Sequence, residues 1–480
     1  MKVTLAGATL DRRFWPDDRS ATPETISAAY ARISHSPKSI GALRDEAIEE
    51  VDKARRSNES IVYRMGHSSI AEHAVFNLDI EDASRLLVEF IEHHRLASFT
   101  ERSQRYVFFG DKDFQIPEEI LGTEFEEEVK KLERDKFSLY KRICDDPHLN
   151  ETYKDKLMEQ ARYVLGLTCP TDLGLTLNAR ELEYIISQGK AHELAEVRDL
   201  SDRLLKAAGD LAPSLIKYTG ANSHVPEARE RMEHWVEENL ERLLVDEEME
   251  DILDSGRISV CSCRPCFCDD PESEIAAGIL FELTDMDLGK CREVAMQMTD
   301  DDLLDLFRPV FSEYPIHSSL PRTFEMMDLT FDFDISASGF AQLKRHRLAT
   351  ILVKDYDPSR WYTPPLYVED PETAREYVDL MRRSEDLFNR IGERLGKEAA
   401  AYVLTNAHIR KVIFKSNLRE IYHFVRLRSD MHAQDEIRNI SDKIVTVLRK
   451  HFPVVTAMLC GKDSFEEGKQ RIFGCTSMDD

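Results

Sequence analysis

The chain has little positive charge for its size: 64 Lys and Arg stand against 90 Asp and Glu, a formal net charge of −26 at pH 7. A surface this acidic repels nucleic-acid polymers and anionic membranes unless its cations are gathered in one place, so neither is an expected partner. Long apolar runs are also missing. No stretch approaches the length of a membrane span, and Met1 to Trp15 holds no uninterrupted apolar segment of the kind a secretory signal needs. Cysteine is sparse. The nine that occur are an odd number spread through a charge-rich chain, which fits a reducing cytoplasm better than a disulfide framework. Core-forming residues are plentiful: 42% hydrophobic and 9% aromatic content excludes global disorder. At 480 residues the chain exceeds one ordinary core and is expected to form two to four domains.

Self-similarity narrows that range. His93-His94-Arg95-Leu96-Ala97-Ser98 recurs as Arg345-His346-Arg347-Leu348-Ala349-Thr350, Asn178-Ala179-Arg180-Glu181-Leu182 as Asn417-Leu418-Arg419-Glu420-Ile421, and Glu196-Val197-Arg198 as Glu436-Ile437-Arg438. The matches keep their order, each about 240 to 250 positions after its first occurrence, which points to a tandem duplication. The local patterns agree. Phe76, Leu78 and Ile80 alternate with Asn77, Asp79 and Glu81, and Phe331, Phe333 and Ile335 alternate with Asp332 and Asp334, so each copy has a half-buried strand before its His-Arg element. In the first copy Leu86, Leu87, Phe90 and Ile91 then follow at helix spacing and deliver His94 and Arg95 near a helix end. Further helices are predicted over Glu124 to Arg142 and Glu151 to Leu165, and each copy closes on a long helical region, Arg180 to Ala212 and Arg419 to Phe452. Val225 to Gly256 is very acidic and helix-prone and reads as a solvated linker. The second copy restarts on a short strand around Ile258-Ser259-Val260, mirroring Val3-Thr4-Leu5. The expected division is a first domain at 1–220, an acidic helical linker at 221–256 and a second, diverged domain at 257–480, both domains α+β.

The chemistry concentrates in the first copy, where His94, Arg95, Glu101, Ser103, Arg105 and Tyr106 crowd together in an otherwise acidic chain. Arginine presents a planar fork of donors suited to phosphate oxygens, and a serine hydroxyl adds another donor. Glu101 among them suggests a ligand with both an anionic end and donor groups, such as a nucleotide; a salt-bridged helix terminus is the competing interpretation.

His94 to Tyr106 closely resembles the hallmark of flavin-dependent thymidylate synthases, an Arg-His-Arg followed seven residues on by Ser and then Arg-Tyr. The resemblance extends to Gly66-His67-Ser68-Ser69, Glu72-His73, Ser84-Arg85, Arg162, Asn178-Ala179-Arg180 and Glu196-Val197-Arg198. In the second copy it covers Gln342, Arg345-His346-Arg347, Asn417, Arg419, His423, Arg428, His432-Ala433-Gln434 and Glu436-Ile437-Arg438. It implies two tandem copies of that family's domain, each a mixed or antiparallel sheet with long helices.

The departures are sorted between the copies. Copy one has His93 for the first hallmark arginine, Phe90 for a glutamine that helps hold dUMP, and Gly189 or Lys190 near the arginine that polarises the uracil ring. Copy two keeps these as Arg345, Gln342 and Arg428, but has Val353, Asp355, Asp357 and Ala401 where copy one retains Glu101, Ser103, Arg105 and Arg162. An aspartate in a phosphate pocket is repulsive. Because family members assemble as homotetramers with sites between subunits, the resemblance implies one composite dUMP site built from both copies and a homodimer supplying four domains. Arg428 is then expected to activate the uracil, with Gln342, Arg345, Glu101, Ser103, Arg105 and Arg162 binding the nucleotide. Ser69, Glu101, Arg345, His346, Arg347, Asn178, Arg180, Asn417, Arg419 and His423 match the family's FAD contacts, and NADPH and methylenetetrahydrofolate are the implied co-substrates. The expected activity is the reductive methylation of dUMP to dTMP. Alternatives are a related flavin-dependent enzyme on another pyrimidine nucleotide, or a non-catalytic nucleotide-binding regulatory protein. His67, His192 and His432 also stand at family-like positions but carry no assigned role.

One cluster has no counterpart in the resemblance. Cys261, Cys263, Cys266 and Cys268 could together hold zinc, but no second Cys-x-x-Cys lies at zinc-ribbon distance. They read as small apolar residues of a strand and turn, and no metal is assigned.

Overall fold

A computed structural model describes residues 1–11, 22–33, 35–109, 114–222, 224–243, 259–261, 270–312 and 319–473. Nine strands run in chain order: β1 Lys2–Ala8, β2 Val75–Ser84, β3 Ala97–Glu101, β4 Pro170–Asn178, β5 Ser259–Cys261, β6 Asp328–Ser336, β7 Thr350–Val353, β8 Asp357–Trp361 and β9 His408–Asn417. The helices that matter for the site are α1 Arg85–Glu92, α2 Glu126–Asp145, α3 Ala179–Lys190, α4 Ala195–Ala208, α5 Ala337–Leu343, α6 Pro371–Leu395, α7 Leu418–Arg428 and α8 Asp435–His451. The fold is α+β with antiparallel sheets. None of the described helices is long and apolar enough to cross a membrane.

The duplication is visible in the strand order. One sheet runs β1-β2-β4-β3 and the other β5-β6-β9-β7, with β8 also pairing β9. Registers repeat as well: Ser98 faces Thr176 and Glu101 faces Leu173 in the first sheet, as Thr350 faces Lys415 and Val353 faces Val412 in the second. The one difference in β2 is a bulge between Ile80 and Ala83, where Asp82 takes a positive φ of 58° and its N–H donates to the Asp172 side chain at 3.0 Å. β6 runs past β9 without such an interruption.

Each copy uses the same device to start the helix that carries its His-Arg element. Ser84 caps α1, accepting from the Leu87 N–H at 3.0 Å, and Ser336 caps α5, accepting from the Gly339 N–H at 3.0 Å. A cap of this kind contributes about 1 kcal/mol. The cap serine is in turn gripped by a carboxylate: Glu196 takes the Ser84 N–H (2.9 Å) and hydroxyl (2.5 Å), and Glu436 takes the Ser336 N–H (2.7 Å) and hydroxyl. The recurring Glu-x-Arg element is therefore structural at its glutamate.

Two compact units emerge, and they do not follow the expected boundary. One comprises Met1–Glu250 with Thr363–Asn406, the other Asp251–Tyr362 with Ala407–Asp480. Thr363–Asn406, expected within the second domain, packs with the first copy because its apolar and charged faces both find partners there. α6 lies antiparallel to α2, with Arg383–Asp135 at 2.7 Å, Arg390–Glu128 at 2.8 Å and an Arg142–Glu376 pair. Beyond them, equivalent segments of the two copies, residues 165–167 and 404–406, pair with each other. The Leu167 N–H donates to the Leu404 carbonyl at 3.0 Å, the Asn406 N–H donates to the Leu165 carbonyl at 2.9 Å, and Gly166 pairs with Thr405. Tyr163-Val164-Leu165 and Tyr402-Val403-Leu404 are equivalent, so this contact is isologous. Beneath it the buried Lys136 ammonium donates to Glu133 and to the Val403 carbonyl, both at 2.7 Å.

One helix expectation shifts. The segment expected as one helix from Glu151 to Leu165 is broken: a helix Pro147–Tyr153 starts at the Asp146 cap and ends where Lys154 takes φ 48°. Short helical turns then follow, the last being Arg162–Val164. Each long closing helical region holds two helices, α3 with α4 and α7 with α8, as the expectation allowed. The acidic connector carries a helix, His224–Leu243, as expected. Cys261 ends β5, as the duplication required of that strand, while Cys263, Cys266 and Cys268 lie outside the described residues.

Candidate active site

In the first unit, β3 ends on Glu101 and leads directly into Ser103 and Arg105, while the turn Arg162–Val164 brings Arg162 from elsewhere in the chain. Glu101 forms a buried ion pair with Arg85, the first residue of α1, at 2.5 Å. The other carboxylate oxygen, Oε1, is buried and has no hydrogen-bond partner among the described residues. Arg105 pairs with the buried Glu159 at 2.6 Å, and the Ser103 hydroxyl accepts from the Arg105 N–H at 3.2 Å. Burial pushes the Arg162 guanidinium down to about 10, with Arg105 and Arg85 adding repulsion against the help of Glu159. Burial also works against charge on Arg85, yet Glu101, Glu92 and Glu89 hold it above its ordinary value. Arg85, Arg105 and Arg162 thus gather three guanidinium groups in this corner, a donor set suited to an anion. Ser69 is exposed in the turn Ser68–His73, and Arg180 pairs with Glu72 at 2.6 Å.

In the second unit, three of the expected residues form one network. Arg428, at the end of α7, donates from Nε to His346 Nε2 (3.1 Å), from Nη1 to the Gln342 side-chain oxygen (3.3 Å) and from Nη2 to the Gln342 carbonyl (2.9 Å). Gln342 is buried on α5 and its amide donates to Gln434 at 3.0 Å. Because His346 accepts at Nε2, its proton sits on Nδ1, facing the Glu420 carboxylate at 3.2 Å. Burial, with Arg428, His423 and Arg345 adding repulsion, holds His346 well below its usual value and therefore neutral. His346, Glu420 and His423 bring three donor atoms within 4.8 Å of one another. The His346 Nε2 lone pair is committed to a guanidinium, however, so this cluster is poorly suited to a cation. Asn417 caps α7 through the Glu420 N–H at 3.0 Å, as Asn178 caps α3 through Glu181 at 2.9 Å. Arg419 pairs with Glu325 at 3.0 Å, repeating the Arg180–Glu72 pair. Arg345, Arg347 and His423 are exposed beside them.

The retained and missing groups change together. Arg85 and Glu101 correspond to Ala337 and Val353, so copy two has lost both members of the buried ion pair. Gln342 and Gln434 correspond to Phe90 and Leu194. The register of α3 and α7 assigns Gly189, not Lys190, as the counterpart of Arg428. In copy one the Phe90 ring packs edge-on to His94 and His192 at 5.1 and 5.4 Å. His94 turns Nδ1 to the Phe90 carbonyl at 3.0 Å, and burial pushes it down to about 4. Sequence reasoning assigned no role to Arg85, Glu159, Glu420 or Gln434. Glu420 had a usable signal, since Asn-x-Arg-Glu occurs in both copies. Glu159 had none, because an acidic residue is unremarkable in so acidic a chain.

Comparison with known proteins covers both halves. The family model for thymidylate synthase complementing protein matches residues 18–214 and again 282–454. A flavin-dependent thymidylate synthase of Clostridium tetani is 28% identical over 237 residues, 46% of this chain and 94% of that protein. A UPF0159 protein of Chlamydia pneumoniae is 24% identical over 444 residues, 86% of this chain and 82% of that protein, so the duplicated length is shared. Among solved structures, the flavin-dependent thymidylate synthase of Helicobacter pylori complexed with FAD and dUMP covers 46% of this chain and 100% of its own. The identity is 20% and the TM-score 0.33.

Proposed function

The chain belongs to the thymidylate synthase complementing protein family, and from that premise we propose that it methylates dUMP reductively to dTMP at one composite site to which both copies contribute. Methylenetetrahydrofolate is the proposed one-carbon donor and NADPH the reductant. The observation that carries the reading is the sorting of functional groups. Glu101, Ser103, Arg105 and Arg162 stand only in copy one, and the Gln342–Arg428–His346 network only in copy two. Independent decay of two redundant copies would not divide one site's parts so cleanly.

Arg105, Ser103 and Arg162 bind the dUMP phosphate, with the Arg105–Glu159 pair giving way to the stronger dianion. Gln342 and Arg345 add polar contacts to the nucleotide. Arg428 stabilises the negative charge that develops on the uracil as a proton leaves N3, which makes C5 more nucleophilic. Neutral His346 keeps the Arg428 guanidinium oriented without competing for its charge. The donor set also suits a dinucleotide. Arg345, Arg347, Arg419 and His423, with Ser69, Glu101, Asn178, Arg180, Asn417 and His346, offer cations and neutral donors, and the unpartnered Glu101 Oε1 offers an acceptor. Bound there, FAD would supply the hydride chemistry. Two chains contribute four family domains, so a cytoplasmic homodimer is the assembly we propose.

Release of tritium from C5-labelled dUMP, dependent on FAD, NADPH and methylenetetrahydrofolate, tests the reaction. Arg428→Ala and Arg105→Ala should each lower the rate by about a hundredfold or more. If both variants bind and turn over dUMP as the parent does, the composite site is wrong.

A further inference from the structure

We infer that Asn406, a residue of the second copy, is a positioning residue for the anion-binding groups of the first. This rests on reading Ser103, Arg105 and Arg162 as the phosphate clamp of dUMP. Asn406 is buried in the first unit at the isologous contact. Its side-chain amide donates two hydrogen bonds, one to the Gln104 side-chain oxygen at 3.0 Å and one to the Arg162 carbonyl at 2.9 Å. Gln104 is itself buried and lies between Ser103 and Arg105. The Arg162 carbonyl also accepts from the Leu165 N–H at 3.1 Å, which closes the turn. One carboxamide therefore ties together the two separate chain segments that present the clamp, and it is held in register by its own N–H bond to the Leu165 carbonyl at 2.9 Å.

The duplication supplies an internal control. The counterpart of Asn406 in copy one is Leu167, fully buried and unable to donate, so the backbone at this position does not require an amide. The counterparts of Gln104 and Arg162 in copy two are Tyr356 and Ala401. The amide is present in the same half-set as the clamp it would serve, and is absent where the clamp has been lost. Packing alone gives no reason for that pairing, because Leu satisfies the equivalent site. A buried carboxamide with two good acceptors, by contrast, fixes backbone geometry to a fraction of an ångström, which is what bidentate phosphate recognition needs.

The test uses the full chain carrying Asn406→Leu, the residue nature places at the equivalent site, and Asn406→Asp, which keeps the shape and removes the amide donor. The expected result is a rise of about tenfold or more in both the dUMP dissociation constant and the dUMP KM. The kcat at saturating dUMP should stay within about threefold and the flavin spectrum should be unchanged. Thermal melting accompanies each variant, and Asn406→Asp decides the matter if Asn406→Leu does not fold. Unchanged dUMP affinity in a folded variant, or a loss confined to kcat, overturns the positioning role alone. A wild-type chain that binds no dUMP overturns the substrate reading and this inference with it.

Discussion

The Phe90 ring lies against Gly189: a Cβ added at Gly189 would stand 3.3 Å from the ring edge and inside the Ser201 hydroxyl. Their counterparts in copy two are Gln342 and Arg428, which are hydrogen-bonded to each other. Copy one has thus not simply lost an arginine. It has closed the space by bringing α3 against α4 and filling the remainder with an aromatic ring. Gly189→Ala should therefore destabilise the protein by about 1–3 kcal/mol through overpacking, and Gly189→Arg should cost more without creating a second nucleotide site. Urea denaturation and dUMP stoichiometry check this; an arginine variant that gains a second dUMP equivalent would show the closed half to be latent.

The Arg85–Glu101 pair makes a second prediction. Both groups are buried, and copy two replaces both, with Ala337 and Val353. Breaking a buried pair by removing one partner strands a charge and costs about 3–5 kcal/mol, whereas removing both can be nearly neutral. Arg85→Ala and Glu101→Val should each destabilise strongly, and the double variant by much less than their sum. Additive losses in a double-mutant cycle would mean that the two groups are not coupled as the geometry implies.

Much of this was legible in the sequence, and for identifiable reasons. Period-two alternation marked β2 and β6, and repeated His-Arg and Asn-x-Arg elements marked the two copies. Three things were not legible. The packing of Thr363–Asn406 with the first copy rests on ion pairs with α2 and on the pairing of residues 165–167 with 404–406, which are long-range and leave no local periodicity. The broken helix before Arg162 depends on a positive φ at Lys154, a residue that ordinarily favours helix. The His346 tautomer depends on Arg428 and Glu420, both far along the chain, so no local pattern could announce it.

Buried neutral histidines predict acid sensitivity. An unfolded histidine titrates near 6.5, while burial pushes His94 down to about 4 and His346 well below its usual value. Below pH 6.5 the unfolded chain takes up protons that the folded chain refuses. The stability contribution is therefore complete above that pH and is lost as pH falls toward the folded value. For His94 the loss between pH 7 and pH 5 is about 2 kcal/mol. Urea unfolding at the two pH values should show that difference shrink by about this amount in His94→Gln, and shrink also in His346→Gln. Equal pH dependence in parent and variants would mean the rings are protonated in the folded protein.

The pairing of residues 165–167 with their equivalents 404–406 predicts that the first copy is not an autonomous domain. Lys136 is buried, burial lowers its pKa, and its second acceptor is the Val403 carbonyl from the other copy. The Tyr402 hydroxyl also donates to Glu196 at 2.7 Å, the carboxylate that grips the cap of α1. Residues 1–256 alone lose both contacts and the α6 face that covers α2. Losing the Val403 acceptor, a hydrogen bond to a charged group, by itself costs about 1.5–3 kcal/mol, a sizeable share of an ordinary domain's stability. Produced alone, residues 1–256 should be insoluble or should melt well below the full chain without a cooperative transition. Co-production with residues 257–480 should restore a cooperative melt, because the missing segment need not be covalently joined to fill its place. A fragment 1–256 that unfolds cooperatively at the full-chain temperature would contradict the observed grouping of Thr363–Asn406. Should co-production rescue the fold, Arg105→Ala in the first fragment and Arg428→Ala in the second would each be expected to abolish dUMP turnover of the pair.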